Sequence, residues 1–197
     1  MNKQFSSACE RNADPILDVL RQEFASARHV LEIGSGTGQH AVHIAASLPH
    51  LIWQTSDLPN YHPSIQAWID EAQLHNVRKP LILDMAQPDW PQGDFDAIFT
   101  ANTCHIMSWD KVERMFDGAG RVLPAGGVLC VYGPFNIGGQ YTSDGNARFD
   151  EALRAQSAHM GLRDLETVQA LAASCGFVQR ADHAMPANNR LLAWVRS

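Results

Sequence analysis

Between residues 29 and 132, short apolar runs alternate with segments whose apolar residues recur every three or four positions. The runs predict strands over 29–33, 51–56, 80–83, 95–100 and 127–132. The periodic segments predict helices between them. One covers 39–48 and is broken by Pro49. A second opens at His62-Pro63 and aligns Ile65, Trp68, Ile69 and Ala72. A third is capped by Ser108, aligns Val112, Met115, Phe116, Ala119 and Val122, and is stopped by Pro124. Ahead of them, Ile16, Leu17, Leu20 and Phe24 predict a helix with Asp14 as N-cap and Pro15 in its first turn. Regular alternation of strand and helix predicts a parallel sheet with helices on both faces.

After residue 132 the pattern changes. Residues 133–146 are rich in Gly, Pro, Ser and Asn, too long for a plain connection, and are expected to form a lid or substrate loop. Helices over 147–157 and from Asp164 to Gly176 follow, the second burying Leu165, Val168, Ala172 and Cys175. Two closing strands, 177–184 and 191–196, are joined by only six residues. That is too short for a parallel crossover and predicts an antiparallel hairpin. The expected organisation is one domain over 1–197, with an N-terminal arm and helix over 1–26 and a lid-like insertion over 133–160. No repeat or linker divides it.

Composition narrows the picture. At 197 residues and 45% hydrophobic, the chain can fill one core. A formal charge of −6 lacks the basic footprint of a nucleic-acid binder. The four cysteines form no Cys-x-x-Cys pair, residues 1–11 are polar rather than leader-like, and no apolar run approaches a membrane span, so a cytoplasmic protein is expected. His40 and His43 share a helix face without an acid at ligand spacing, so no metal is expected.

Chemistry concentrates in Val30-Leu31-Glu32-Ile33-Gly34-Ser35-Gly36-Thr37-Gly38-Gln39-His40. A strand turning through glycines into a helix lets a ligand lie against bare backbone near free N–H groups. The dinucleotide fingerprint needs glycines at relative positions one, three and six. Here the sixth position is Gln39, which disfavours a nicotinamide oxidoreductase. Glu32 completes Glu-x-Gly-x-Gly-x-Gly, which resembles the first motif of class I S-adenosylmethionine-dependent methyltransferases. The closing hairpin resembles their seven-stranded, mostly parallel, Rossmann-like sheet.

Open α/β sheets bind ligands at the carboxyl ends of their strands, and four of these ends are polar. Asp57, with Leu58 beside it, ends the second strand and is placed to accept ribose hydroxyls. The methyltransferase resemblance implies that Asp84 receives the adenine amine, with Met85 against the base, and that Glu32, Gly34, Ser35, Gly36 and Gly38 shape the cofactor loop. Asn102-Thr103-Cys104-His105 ends the fourth strand, where the methyl group meets its acceptor. Asn102 lacks the prolines and aromatic of amine methylases of bases and peptides, which points to a small-molecule acceptor. His105 is the candidate general base. Cys104 has no visible activation as a nucleophile. Arg11 is placed to pair with a carboxylate, of the methionine part or of an acceptor.

Further stretches resemble the methyltransferase-like family known as domain of unknown function 938. They are Ala8-Cys9-Glu10-Arg11-Asn12 with Asp14-Pro15-Ile16-Leu17, Gly36-Thr37-Gly38-Gln39-His40-Ala41, Tyr132-Gly133-Pro134-Phe135, Gly161-Leu162-Arg163-Asp164-Leu165-Glu166 and Met185-Pro186-Ala187-Asn188-Asn189. The resemblance implies the class I fold and S-adenosylmethionine as methyl donor, with S-adenosylhomocysteine as product. It leaves the acceptor open. In such folds the Asn188-Asn189 turn lies near the acceptor pocket. A non-catalytic S-adenosylmethionine sensor or scaffold is the alternative reading.

Overall fold

The computed structural model describes residues 3–197. Helix α1 (Ser7–Glu23) precedes β1 (His29–Ile33), α2 (Gln39–Ser47), β2 (Ile52–Asp57), α3 (His62–Ala72) and β3 (Val77–Ile82). Then come β4 (Ala97–Ala101), α4 (Trp109–Val122), β5 (Val128–Asn136), α5 (Asp144–Gln156), β6 (Arg163–Asp164) and α6 (Leu165–Ser174). The chain closes with β7 (Phe177–Met185), a single 3-10 turn (Pro186–Asn188) and β8 (Asn189–Arg196). The sheet runs β3-β2-β1-β4-β5-β8-β7, with β6 added beside β5. The first five strands of that path pair in parallel, while β8 runs antiparallel to both β5 and β7.

Successive strand residues point to opposite faces, so each central strand feeds two cores. Val30, Phe99 and Cys130 pack with Ile16, Leu20, Ile44, Trp53 and Ile65 beneath α1, α2 and α3. Their neighbours Leu31, Ile98 and Leu129 pack with Val112, Phe116, Val168 and Trp194 beneath α4 and α6. Phe116 and Trp194 meet edge-to-face at 5.6 Å. Each such large side chain contributes about 1.5–3 kcal/mol by leaving water. Burial on both faces explains why these strands read as nearly continuous apolar runs.

Three expectations need correction. Helix α1 starts seven residues before Asp14, at a Ser6 N-cap whose Oγ accepts from the Cys9 N–H at 3.3 Å. Pro15 therefore lies mid-helix, where its missing N–H leaves the Arg11 carbonyl without its usual donor. Burial of Ile16, Leu17 and Leu20 holds the helix together across it. Strand β3 begins at Val77 rather than at residue 80. It is a sheet edge, so Arg78 and Lys79 stay exposed and hide the strand from an apolar pattern. Pro80 fits there because an edge strand has a face without ladder partners.

The third correction concerns the expected loop over 133–146. Strand β5 continues to Asn136, because β8 pairs Gly133 with Arg190 and Pro134 with Asn189, and β6 pairs Phe135 with Arg163. Helix α5 then starts at Asp144, with the Ser143 Oγ accepting from the Asn146 N–H at 3.1 Å. Only residues 137–143 remain as a connection. Tyr141 in it donates its hydroxyl to Asp150 Oδ2 at 2.7 Å, anchoring the tip to α5. Ser108 and Asp164 occupy the N-cap positions of α4 and α6, but neither side chain makes a cap hydrogen bond.

Candidate functional site

Strand order reverses between β1 and β4, and the crevice outside their carboxyl ends is the natural ligand position in such a sheet. The β1–α2 loop forms one wall. Beneath it, Glu32 Oε2 accepts from the Ser35 hydroxyl at 2.7 Å and the Trp53 indole at 3.0 Å. Ser35 Oγ in turn accepts from the Ser56 N–H at 3.1 Å, and the Ser56 hydroxyl donates to the Glu32 carbonyl at 2.5 Å. Burial pushes the Glu32 carboxyl up to about 7, against the two hydrogen bonds it accepts. Glu32 thus braces the loop from below.

The glycines divide their work. Gly36 adopts φ +57, and a Cβ built there meets nothing within 4 Å, so this position opens to the crevice. Gly38 adopts φ +97, and a Cβ would stand 2.9 Å from the Ile65 Cα. Its role is close packing of α2 on α3.

On the β2 side, Asp57 Oδ2 accepts from the Gly36 N–H at 2.7 Å and Oδ1 from the Leu58 N–H at 2.7 Å. Burial raises the Asp57 pKa, and these two donors oppose the rise. Beyond β3, Asp84 Oδ1 accepts from the Ala86 N–H at 2.8 Å, with Lys111 Nζ 4.0 Å away. Met85 beside it is buried.

On the β4 side, Asn102 turns the chain with φ +59 while its N–H donates to the Tyr132 carbonyl at 2.9 Å. The following turn carries His105, buried and edge-on to Phe149 at 5.2 Å. A Cβ on Gly133 would lie 3.8 Å from His105 Nδ1 and 3.9 Å from Asn102 Oδ1, so both side chains converge on one point. Burial, and then the nearby Arg163 charge, lower the His105 pKa to about 4 and leave the imidazole neutral at pH 7. Arg163 donates to the carbonyls of Cys104 (3.0 Å) and Met107, clamping the turn, and to that of His159 (3.0 Å) beyond α5. Burial pushes the Cys104 thiol up to about 12, which makes it inert as a nucleophile.

One cleft of about 920 Å³ connects these parts. Arg11, Gly34, Ser35, Gly36, Asp57, Leu58, Asp84, Met85, Asn102 and His105 all line it. Glu32 and Gly38 do not belong to its lining: the first lies under the loop and the second against α3. Of the expected lid, Pro134, Asn146 and Phe149 reach the cleft. So does Asn189 from the closing hairpin, whereas Asn188 does not. The cleft also contains Asn12, His40 and Tyr132, which no spacing rule singles out. His40 showed only its place one turn beyond the glycines, and Asn12 enters through the packing of α1 over the sheet. The cleft's carboxylates, Asp57 and Asp84, sit at the β2–β3 end.

Five parallel strands, a glycine turn after the first and an inserted antiparallel last strand define the Rossmann-like fold of class I methyltransferases. The chain belongs to the family described as Protein of unknown function (DUF938), which it matches over residues 3–196. Solved structures share the fold. An O-methyltransferase family protein from Burkholderia thailandensis superposes with a TM-score of 0.85 at 20% identity, over 96% of this chain and 57% of its own. An O-methyltransferase family 2 protein from Planctomyces limnophilus, solved in complex with apigenin, gives 0.83 at 18%, over 97% and 59%. Human N-acetylserotonin methyltransferase, solved with S-adenosylmethionine, gives 0.80 at 14%, over 96% and 53%. The chain thus spans little more than half the length of these proteins. Among the described residues no helix is long and apolar enough to cross a membrane.

Proposed function

We propose that this chain, as one domain with residues 133–160 covering the acceptor end, is an S-adenosylmethionine-dependent methyltransferase of a small molecule. The observation that carries the reading is the single cleft that places Asp57, Asp84 and the open backbone at Gly36 beside the converging pair Asn102 and His105. Its volume of about 920 Å³ suits a nucleoside-sized ligand and a second small molecule together.

The residues fit the donor. Each Asp57 oxygen accepts one backbone N–H and keeps a lone pair for a ribose hydroxyl. Asp84 is in place for the adenine amine, and Met85 for the face of the base. Arg11, at the exposed rim, suits a carboxylate of either ligand. S-adenosylmethionine, when bound, supplies a methyl group already activated by its sulfonium, so the protein's task is alignment.

Asn102 and His105 perform that alignment at the acceptor. A neutral imidazole accepts a hydrogen bond from a hydroxyl, points the oxygen lone pair toward the donor and receives the proton. The low pKa makes His105 a weak base, so its share is modest, on the order of 10- to 100-fold. Phe149, Ile106 and Met107 offer an apolar wall to the acceptor body.

The test is incubation of the protein and methyl-labelled S-adenosylmethionine with a small-metabolite extract. A labelled product, reduced by that factor in His105→Ala, is the expected result. No labelled product would leave a binding protein without turnover.

A further inference from the structure

At the β4–β5 end of the cleft, beneath α1, stands a corner of buried polar atoms that find no hydrogen-bond partner among the described residues. His40 is 5% exposed, and neither ring nitrogen has a hydrogen-bond partner. Asn12 Oδ1, on α1, is also buried and unpartnered. The Asn12 side chain lies beside the Tyr132 hydroxyl, where it pulls the phenol pKa down against the dominant effect of burial, which raises it. His40 sits edge-on to Phe99 at 6.3 Å. Phe99 pairs with Cys130, and Tyr132 lies two residues further on the same strand face. The corner therefore closes the cleft over the ends of β4 and β5.

Buried polar atoms without partners destabilise a fold by about 1–3 kcal/mol each, so such a cluster persists where a ligand completes it. Burial, then the neighbouring His43, lower the His40 pKa to about 4, and the ring stays neutral, with one nitrogen donating and one accepting. With Asn12 Oδ1, the corner offers two acceptors and one donor. An ammonium beside a carboxylate matches two of these groups: the ammonium donates to Asn12 Oδ1, and the carboxylate accepts from the ring N–H. Direction agrees. A nucleoside anchored on Asp57 and Asp84 at the β2–β3 end extends its remainder across Gly34 and Gly36 toward β4 and β5.

We infer that His40 and Asn12 form the receptor for the α-amino-carboxylate end of the methyl donor, so that the protein distinguishes the whole amino-acid nucleoside from its truncated thioether. The inference rests on the proposed donor and assigns it two residues outside the glycine motif. A charged His40 would repel the ammonium, and its burial without an acid keeps it neutral.

Calorimetry with S-adenosylhomocysteine and with methylthioadenosine, which shares the nucleoside but lacks the amino acid, tests it. The wild type is expected to prefer the former by more than about 30-fold. His40→Leu and Asn12→Leu should each cut that preference about tenfold, the order expected for one lost hydrogen bond to a charged group. Methylthioadenosine affinity should stay within about threefold, which also reports that the cleft is intact. A preference unchanged in both variants, or both ligands weakened alike, overturns the inference while leaving the donor reading in place. A wild type that binds neither nucleoside overturns both.

Discussion

The Asp57 carboxylate accepts the Gly36 backbone N–H at 2.7 Å, across 21 residues of sequence. This bond ties the end of β2 to the glycine turn after β1. It makes Asp57 both a brace of the loop and a wall of the cleft. Asp57→Ala is therefore expected to weaken S-adenosylhomocysteine binding by at least about tenfold. It should also lower stability by about 2 kcal/mol, a fall of about 4–8 °C in Tm, through the lost charge-assisted bonds to Gly36 and Leu58. Calorimetry and thermal unfolding on one sample would separate the two effects. Unchanged affinity would remove Asp57 from the ligand.

Glu32 gives a signature in pH. Its folded pKa of about 7 lies above the ordinary 4.5, so the folded protein holds a proton there that the unfolded chain releases. That contribution is complete below pH 4.5 and is lost as pH rises toward 7. Glu32→Gln abolishes the dependence. Relative to wild type, the variant should gain up to about 3 kcal/mol between pH 4.5 and 8 in urea unfolding. A constant difference across this range would mean that Glu32 is ionised in the fold throughout.

His40 has the opposite sign. Its folded pKa of about 4 lies below the ordinary 6.5, so the unfolded chain takes up a proton as pH falls through that window while the fold does not. Wild-type stability from this group is complete above pH 6.5 and is lost toward pH 4. Without ligand, His40→Leu removes an unpartnered polar group and should stabilise the protein at pH 7 by about 0.5–2 kcal/mol. The advantage should widen by up to about 3 kcal/mol on going to pH 4. A variant less stable than wild type at both pH values would make His40 a structural residue.

Arg163 holds the turn that carries His105 by donating to the carbonyls of Cys104 and Met107, and ties it to the His159 carbonyl beyond α5. Arg163→Met keeps the aliphatic stem and removes the donors, leaving carbonyls of a half-buried turn unpaired. The expected loss is about 2–3 kcal/mol, read by urea unfolding, with any methyl transfer lowered further than nucleoside affinity. Equal losses of transfer and nucleoside affinity would place the effect outside the acceptor end.

The sheet could be read from the chain because its central strands are buried on both faces and their runs are mostly apolar, with polar residues such as Glu32 near their carboxyl ends. The glycine turn was legible for a similar reason, since backbone geometry dictates its spacing. Elements that meet water or ligand were less visible. The first turns of α1 carry Cys9, Arg11 and Asn12 toward the cleft, so they lack an apolar stripe, and Pro15 looked like the helix start. Arg78 and Lys79 disguised the start of edge strand β3. Gly133-Pro134 has turn chemistry but is carried into β5 by pairing with Arg190 and Asn189, fifty-odd residues later. Asn12 and His40 come together with Tyr132 only when α1 packs over the sheet beside α2, and no local pattern records that meeting.

The proposed role of the cleft as a receptor for S-adenosylmethionine underlies the expectations for binding and transfer. Titration of the purified protein with S-adenosylhomocysteine in a calorimeter at pH 7.5 tests this most directly. One saturable site with a Kd on the order of micromolar, about −8 kcal/mol, is the expected result. No heat of binding at millimolar ligand would contradict it.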